Sequence, residues 1–303
     1  VVKRNTLPQV IFSSFLISLG LLLSAGNIFA QEPQTAASAP NLISSTIDWE
    51  TGILSITVEE FASRSSYNRP AALFGAEQAI SREITQLVFR AILDIQADSH
   101  HRLADLAREE RDLLRTLEEI SETARLVSTQ PGEELNSVTS TYQLNIYPAI
   151  SSILVRHSTS FPMEEVLSWQ AGSEYTGIVI YAGRELPVHG EPGSGEYLAP
   201  SLFPVIYDEN MRLLVDRNRM DPDFAARWGA ALFSRSFDEA PHRDRIGENP
   251  FRIIATGLFG VVPSDPKIPS SDADVLLHSE SGRRLLREGR ILIIYRDPPP
   301  EED

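Results

Sequence analysis

The sequence predicts an α+β fold: a β-hairpin plus two amphipathic helices packed on a sheet, followed by a strand-rich α+β C-terminal half. Three observations predict it. Leu54, Ile56 and Val58 alternate with Ser55, Thr57 and Glu59, the period of a half-buried strand. Ile80, Ile84, Leu87, Val88, Ala91, Ile92 and Ile95 recur at helical spacing on one face, with Glu77, Arg82, Glu83 and Arg90 off it. From Tyr175 onward the apolar residues fall into short runs separated by turn formers.

Taken in order, the chain opens with Lys3 and Arg4, has no acid before Glu32, and carries an apolar run over residues 10–23. That run falls short of the ~20 apolar residues of a membrane span. With Ala30 ahead of Gln31 it reads as a cleavable signal peptide, residues 1–30, rather than an uncleaved anchor. Residues 31–41, rich in Ala, Pro, Ser and Gln, read as a flexible linker. An N-terminal α+β unit is expected over 42–170, a C-terminal strand-rich α+β unit over 171–297, and a disordered tail over 298–303.

Within the first unit, Glu50-Thr51-Gly52 supplies a hairpin turn, with residues 43–49 as the partner strand. After the first helix, Leu103, Leu106, Leu113, Leu117 and Ile120 mark a second over about residues 102–125, packed on the sheet rather than in a coiled coil. Gln130-Pro131-Gly132 breaks it. Tyr142, Leu144 and Ile146 alternate as a strand that Pro148 ends, and a short helix follows over 150–155.

In the second unit, residues 178–181 read as a strand. Residues 203–207 and 211–215 form a hairpin around Asp208-Glu209-Asn210. Residues 224–233 form a short helix after Pro222, and 252–262 form one long strand bent near Gly257 and Gly260. Ser271 and Asp274 have capping-box spacing for a helix after Pro269. Residues 283–288 continue helically to a C-cap at Gly289, and 290–295 are a buried strand.

Composition excludes several functions. The formal net charge of −15, which loss of Lys3 and Arg4 makes more negative, repels nucleic acid and anionic lipid. With no cysteine, disulfides, thiolate nucleophiles, zinc–thiolate sites and a direct lipid anchor are all excluded; Asn27 stands where a lipoprotein would carry its acylated cysteine. At 42% hydrophobic residues, the chain can hold together by burial.

No catalytic, cofactor-binding or metal residues are assigned. His100 and His101 are adjacent and diverge by about 100° on a helix, so solvation is expected for both. Asp216, Asn218, Asp221 and Asp223 lack the glycine and terminal Glu of a calcium loop and read as acids at a helix N-terminus. Gly193-Ser194-Gly195 lacks the nucleophile-elbow spacing and lies in a surface loop. Glu164 and Glu165 after Pro162 suit a helix N-terminus. Phosphate-binding glycine loops are absent.

Tyr175-Thr176-Gly177-Ile178-Val179-Ile180, Pro200-Ser201-Leu202-Phe203-Pro204-Val205-Ile206-Tyr207-Asp208-Glu209 and residues 283–295 resemble a family of exported bacterial envelope proteins. The family includes the outer-membrane-associated flagellar lipoprotein FlgP and its small-lipoprotein relatives. The resemblance implies an α+β fold, no known enzymatic activity and a tendency to assemble under the outer membrane, with members near flagella forming rings around the motor. The chain departs from it at Asn27, at Tyr181, where relatives carry an acid, in Ala182-Gly183-Arg184-Glu185-Leu186, and by an apparent insertion over 189–198.

The expectation is therefore a non-enzymatic periplasmic protein of the envelope that binds other envelope proteins or itself, with peripheral outer-membrane association and no cofactor. The alternative is a periplasmic small-ligand-binding or hydrolytic domain, in which groups such as His157, Arg184 and Asp208 converge on a pocket. A structural spacer with the helical pair as stalk is a third reading.

Overall fold

The computed structural model describes residues 40–63, 68–167, 174–191 and 193–299. The expected signal peptide, most of the linker, the boundary near residue 170 and residues 300–303 of the tail lie outside them. The fold is α+β, as the sequence predicts.

The first half is an antiparallel sheet under helices. Strand β1 (Asn41–Asp48) turns through Glu50-Thr51-Gly52 into β2 (Ile53–Phe61). Asp48 fixes the turn by accepting from Glu50 N (3.0 Å) and Thr51 Oγ1 (2.7 Å). Asn41, assigned to the linker, opens the strand. Helix α1 (Arg69–Leu93) starts where Asn68 accepts from Ala71 N, and it buries Ile80, Ile84, Val88 and Ile92.

The expected second helix is two, α2 (Leu103–Glu109) and α3 (Arg111–Ser121). They divide at Glu110, whose backbone is extended and whose carboxylate pairs with Arg156. The helix also ends early, because Arg125 opens a strand not expected from the sequence, β3 (Arg125–Pro131). Then follow β4 (Ser137–Asn145) and α4 (Ser151–Leu154). The sheet order is β1-β2-β4-β3. Val58, Ile56 and Leu54 with Val138, Tyr142 and Leu144 turn inward beneath α1, and α3 packs on α1. Glu164 and Glu165 lie in no helix; they pair instead with Arg212 (3.9 Å) and Arg283 (3.6 Å).

The second half begins with β5 (Gly177–Ala182). The short pair β6 (Leu186–Pro187) and β7 (Gly195–Glu196) precedes the hairpin of β8 (Ile206–Asp208) and β9 (Leu213–Val215). Helix α5 (Pro222–Trp228) ends at Gly229, short of the expected limit at 233, because Leu232 already belongs to β10 (Leu232–Ser234). After α6 (Arg243–Ile246), the expected single strand over 252–262 is two, β11 (Pro250–Ile254) and β12 (Gly257–Phe259), in different sheets. The switch is made by adjacent amides: Ala255 N bonds Tyr181 O (3.0 Å), while Thr256 N bonds Lys267 O (2.9 Å) on β13 (Asp265–Ile268).

Helix α7 (Ser270–His278) starts after Pro269, but the Ser271–Asp274 capping box does not form. Asp274 instead takes the Arg212 guanidinium at 2.6 Å. Helix α8 (Glu280–Arg287) leads through Gly289 into β14 (Ile291–Tyr295). Gly289 sits at φ +57°, where a side chain is disfavoured, and its N–H bonds Leu286 O at 3.1 Å.

Strands β10, β14, β5 and β11 form a wholly parallel sheet in that order. A parallel sheet covered on both faces needs apolar residues at every position, which Ile291, Leu292, Ile293 and Ile294 supply. Ile291 and Ile293 face the main core; Leu292 and Ile294 pack with Val179 and Ile246 in a small second one. The main core runs through both halves of the chain, from Trp49 to Tyr295. Strands β12, β13, β8 and β9 form the remaining sheet.

Arg245 ties helix ends together. Its buried guanidinium donates to Trp228 O (3.0 Å), Gly229 O (3.2 Å) and Gly289 O (2.5 Å) and lies 4.3 Å from the Trp228 ring centre. These carbonyls close α5 and α8, where the helix dipole favours a cation.

Candidate functional site

His100 and His101 are both exposed, on the loop between α1 and α2. Asp98 shapes this loop, its Oδ1 accepting from His100 N and His101 N, both at 2.9 Å, and lying 3.0 Å from His101 Nδ1. Asp221 caps α5, accepting from Asp223 N at 3.0 Å, the role its position suggested. Asp216 caps a turn through Arg219 N at 2.8 Å. Ser194 lies in the exposed loop between β6 and β7 and donates to Glu191 O.

Of the three groups that a pocket was expected to gather, two are engaged with separate partners and one is exposed. His157 Nε2 bonds Met220 O (2.9 Å) and Arg184 is exposed. Buried Asp208 accepts from Arg212 N (2.8 Å), Asn210 N (2.9 Å) and Ser270 Oγ (3.0 Å), locking the β8–β9 turn to α7.

A different set does converge. The α1–α2 loop is tied to the segment before β8 by Leu202 N to Gln96 O (3.0 Å) and Phe203 N to Ala97 O (2.9 Å). Between them opens a cleft of about 230 Å³, lined on one side by residues 98–101 and on the other by Phe203, Tyr207, Asp216, Arg217 and Asn218. Arg217 also lines a neighbouring cleft of about 310 Å³ with Glu110, Leu113 and Arg156.

The electrostatics of this cleft are uneven. The Arg217 guanidinium stands 5.6 Å from the Phe203 ring centre and makes no hydrogen bond or ion pair among the described residues. Burial draws its pKa down, with the Arg156 charge, against the opposing pull of Asp98 and Asp216. Burial pushes the Tyr207 phenol up, helped by the nearby Asp265 and Asp216 charges. Asp265 lies against the cleft wall, fully buried; Oδ1 accepts from Val205 N (2.9 Å) and Ser264 Oγ (3.2 Å), while Oδ2 has no hydrogen-bond partner. Burial raises its pKa to about 6, opposed by hydrogen bonding from Ser99, Val205 N and Ser264 and assisted by the Asp98 charge. Ser99 Oγ lies 2.9 Å from His100 Nδ1.

Two other surfaces are open. Strand β3 is exposed along its whole length, with Leu126 and Val127 among its residues, and β1 exposes Leu42 and Ile43. Each carries a register shift at the same place in its pattern, between Leu42 and Ser44 and between Leu126 and Ser128. These strands are the two edges of the antiparallel sheet. Among the described residues, no helix is long and apolar enough to cross a membrane.

Residues 42–153 match the family model described as the N-terminal domain of Treponema pallidum Tp0624, and residues 177–297 match that of its second domain. The chain is thus similar, in order, to two domains of one bacterial protein, and neither description names an activity. No curated protein matches the chain.

Proposed function

We propose that the protein is a non-enzymatic, exported component of the bacterial envelope that acts by assembling with further copies of itself. The observation that carries this reading is the pair of edges, unpaired among the described residues, on an even-stranded antiparallel sheet. Strands β1 and β3 run antiparallel to each other, since β1 opposes β2, β2 opposes β4, and β4 opposes β3. A β3 edge laid beside the β1 edge of the next copy continues the antiparallel ladder without a break. Unpaired edge N–H and C=O groups are a standing template for such addition.

The contact is head to tail, so it builds a ring or a filament according to the rotation between copies. Export to the periplasm rests on the charged, apolar, small-residue order of the first 30 residues. The resemblance to the FlgP family supports a ring-forming, flagellum-associated role at the outer membrane, reached through protein contacts because no cysteine is present to carry lipid. The acidic charge disfavours nucleic acid as partner. Sedimentation velocity of the chain over a concentration series tests the reading: growing oligomers are expected, and a strict monomer throughout overturns it.

The cleft beside Arg217 favours a second reading, a small-ligand-binding domain. Its hydrolytic version is less well supported, because Ser99, the hydroxyl paired with His100, is only 2% exposed and closed to a substrate.

A further inference from the structure

Arg217 is a half-buried cation whose hydrogen-bonding capacity is unspent among the described residues. A guanidinium offers five N–H donors in a planar fork that matches a carboxylate bidentately. Arg245, a buried arginine, uses its fork on three carbonyls, and Arg212 uses its own on Asp208 and Asp274. Arg217 is half-buried at the cleft wall, yet among the described residues its donors meet no acceptor.

Its surroundings carry the opposite charge at a distance. Asp98 and Asp216 line the same cleft and act on Arg217 electrostatically, but neither carboxylate comes within the 4.0 Å of an ion pair. Each commits Oδ1 to backbone amides of its own loop. A cation and two carboxylates therefore face one another across a gap they do not close. A ligand carrying both signs closes it: its carboxylate enters the fork of Arg217 and its ammonium lies against Asp98 and Asp216. The Phe203 ring, 5.6 Å away at its centre, favours a cation at this place.

We propose that this cleft is a binding site for a small zwitterion, an amino acid or short peptide with free ammonium and carboxylate groups. The size agrees with the class, since about 230 Å³ holds one or two residues and lies below the usual range of drug-sized pockets. Both walls come from distant parts of the chain, residues 98–101 and 203–218, joined by the Gln96–Leu202 and Ala97–Phe203 backbone bonds. Ligand binding accordingly stabilises the contact between the two halves.

Isothermal titration of the full chain with L-alanyl-L-alanine tests this, with the N-acetylated and C-amidated dipeptides and acetate run in parallel. The expected result is a Kd of about 1 mM or tighter for the zwitterion and at least about tenfold weaker binding for each blocked form. Arg217→Gln weakens the zwitterion at least about tenfold, while Asp216→Asn weakens the free-amine ligand and leaves acetate unchanged. Circular dichroism confirms that each variant is folded, and Arg227→Gln, an exposed arginine on α5, serves as a neutral control. Absence of binding heat to about 10 mM, equal affinity for acetate and the dipeptide, or an Arg217→Gln variant that binds as the parent does overturns the proposal.

Discussion

Trp49, at the end of the first hairpin, meets Phe233 of the parallel sheet edge-on, with ring centres 5.9 Å apart and planes at 66°. Phe233 in turn stands edge-on to Tyr295, 6.0 Å away, so one aromatic chain runs from residue 49 to residue 295. Such pairs add to ordinary burial because the positive ring edge meets the negative face. The relation makes the halves one cooperative body. Phe233→Ala is expected to lose about 3–5 kcal/mol of stability. Tryptophan fluorescence and far-ultraviolet dichroism should lose signal at the same urea concentration in parent and variant. Two separated transitions in the parent would show that the halves fold independently.

Gly177 opens β5 where the backbone of Ile246, the last residue of α6, crosses it. A Cβ there would meet Ile246 Cα and O, backbone atoms that cannot rotate away. Gly177→Ala is therefore expected to destabilise by about 1–3 kcal/mol. Gly75, exposed within α1 with nothing near its missing Cβ, should behave oppositely. Gly75→Ala is expected to stabilise by about 0.5–1 kcal/mol through helix propensity. Paired urea titrations check both signs.

The elements that alternate in burial were legible in the sequence. The β2 and β4 periods, the α1 stripe and the unbroken run of β14 each display their packing directly, because every second, every third or fourth, or every residue is inside. Strand β3 has no such contrast: it is exposed throughout, so its sequence carries no period to read. The division of residues 250–259 between two sheets was hidden for another reason. An apolar run fits either sheet, and the choice is made by the partners of Ala255 and Thr256, far away in sequence. The cleft was equally invisible, since Arg217 gains its meaning from a loop more than a hundred residues earlier. Spacing assigned His100 and His101 no common role, and their place on the rim of a cleft came only with tertiary structure.

Asp265 gives the fold a distinctive pH response. Its carboxyl is held near pKa 6 against an ordinary 3.8, chiefly by burial. The folded state thus binds the proton more tightly than the unfolded chain does. Between about pH 4 and pH 6 the native protein carries more protons, so this group's contribution to stability falls as pH rises through that window. Above it the penalty is complete, on the order of 3 kcal/mol. Asp265→Asn keeps an acceptor for Val205 N and carries no charge to bury. It is expected to be more stable than the parent at pH 8, with the difference shrinking toward pH 4. Urea unfolding at pH 4, 6 and 8 measures it, and a variant uniformly less stable at all three would show that the carboxylate is needed charged.

The edge contact makes a prediction that distinguishes it from other modes of association. Ile43 on β1 and Val127 on β3 are the residues at the two register shifts, both exposed, so a lysine at either costs the monomer within about 0.5 kcal/mol. An added edge charge is an effective block to strand pairing. In a head-to-tail contact, Ile43→Lys disables the β1 edge of every copy and Val127→Lys disables every β3 edge, so each variant alone should be monomeric. Their mixture should not be. The intact β3 edge of an Ile43→Lys copy can still pair with the intact β1 edge of a Val127→Lys copy, and growth stops there because the remaining edges are both blocked. Sedimentation of the equimolar mixture should therefore show a heterodimer and nothing larger. A mixture that stays monomeric, or single variants that still form large oligomers, would place the assembly surface elsewhere on the molecule.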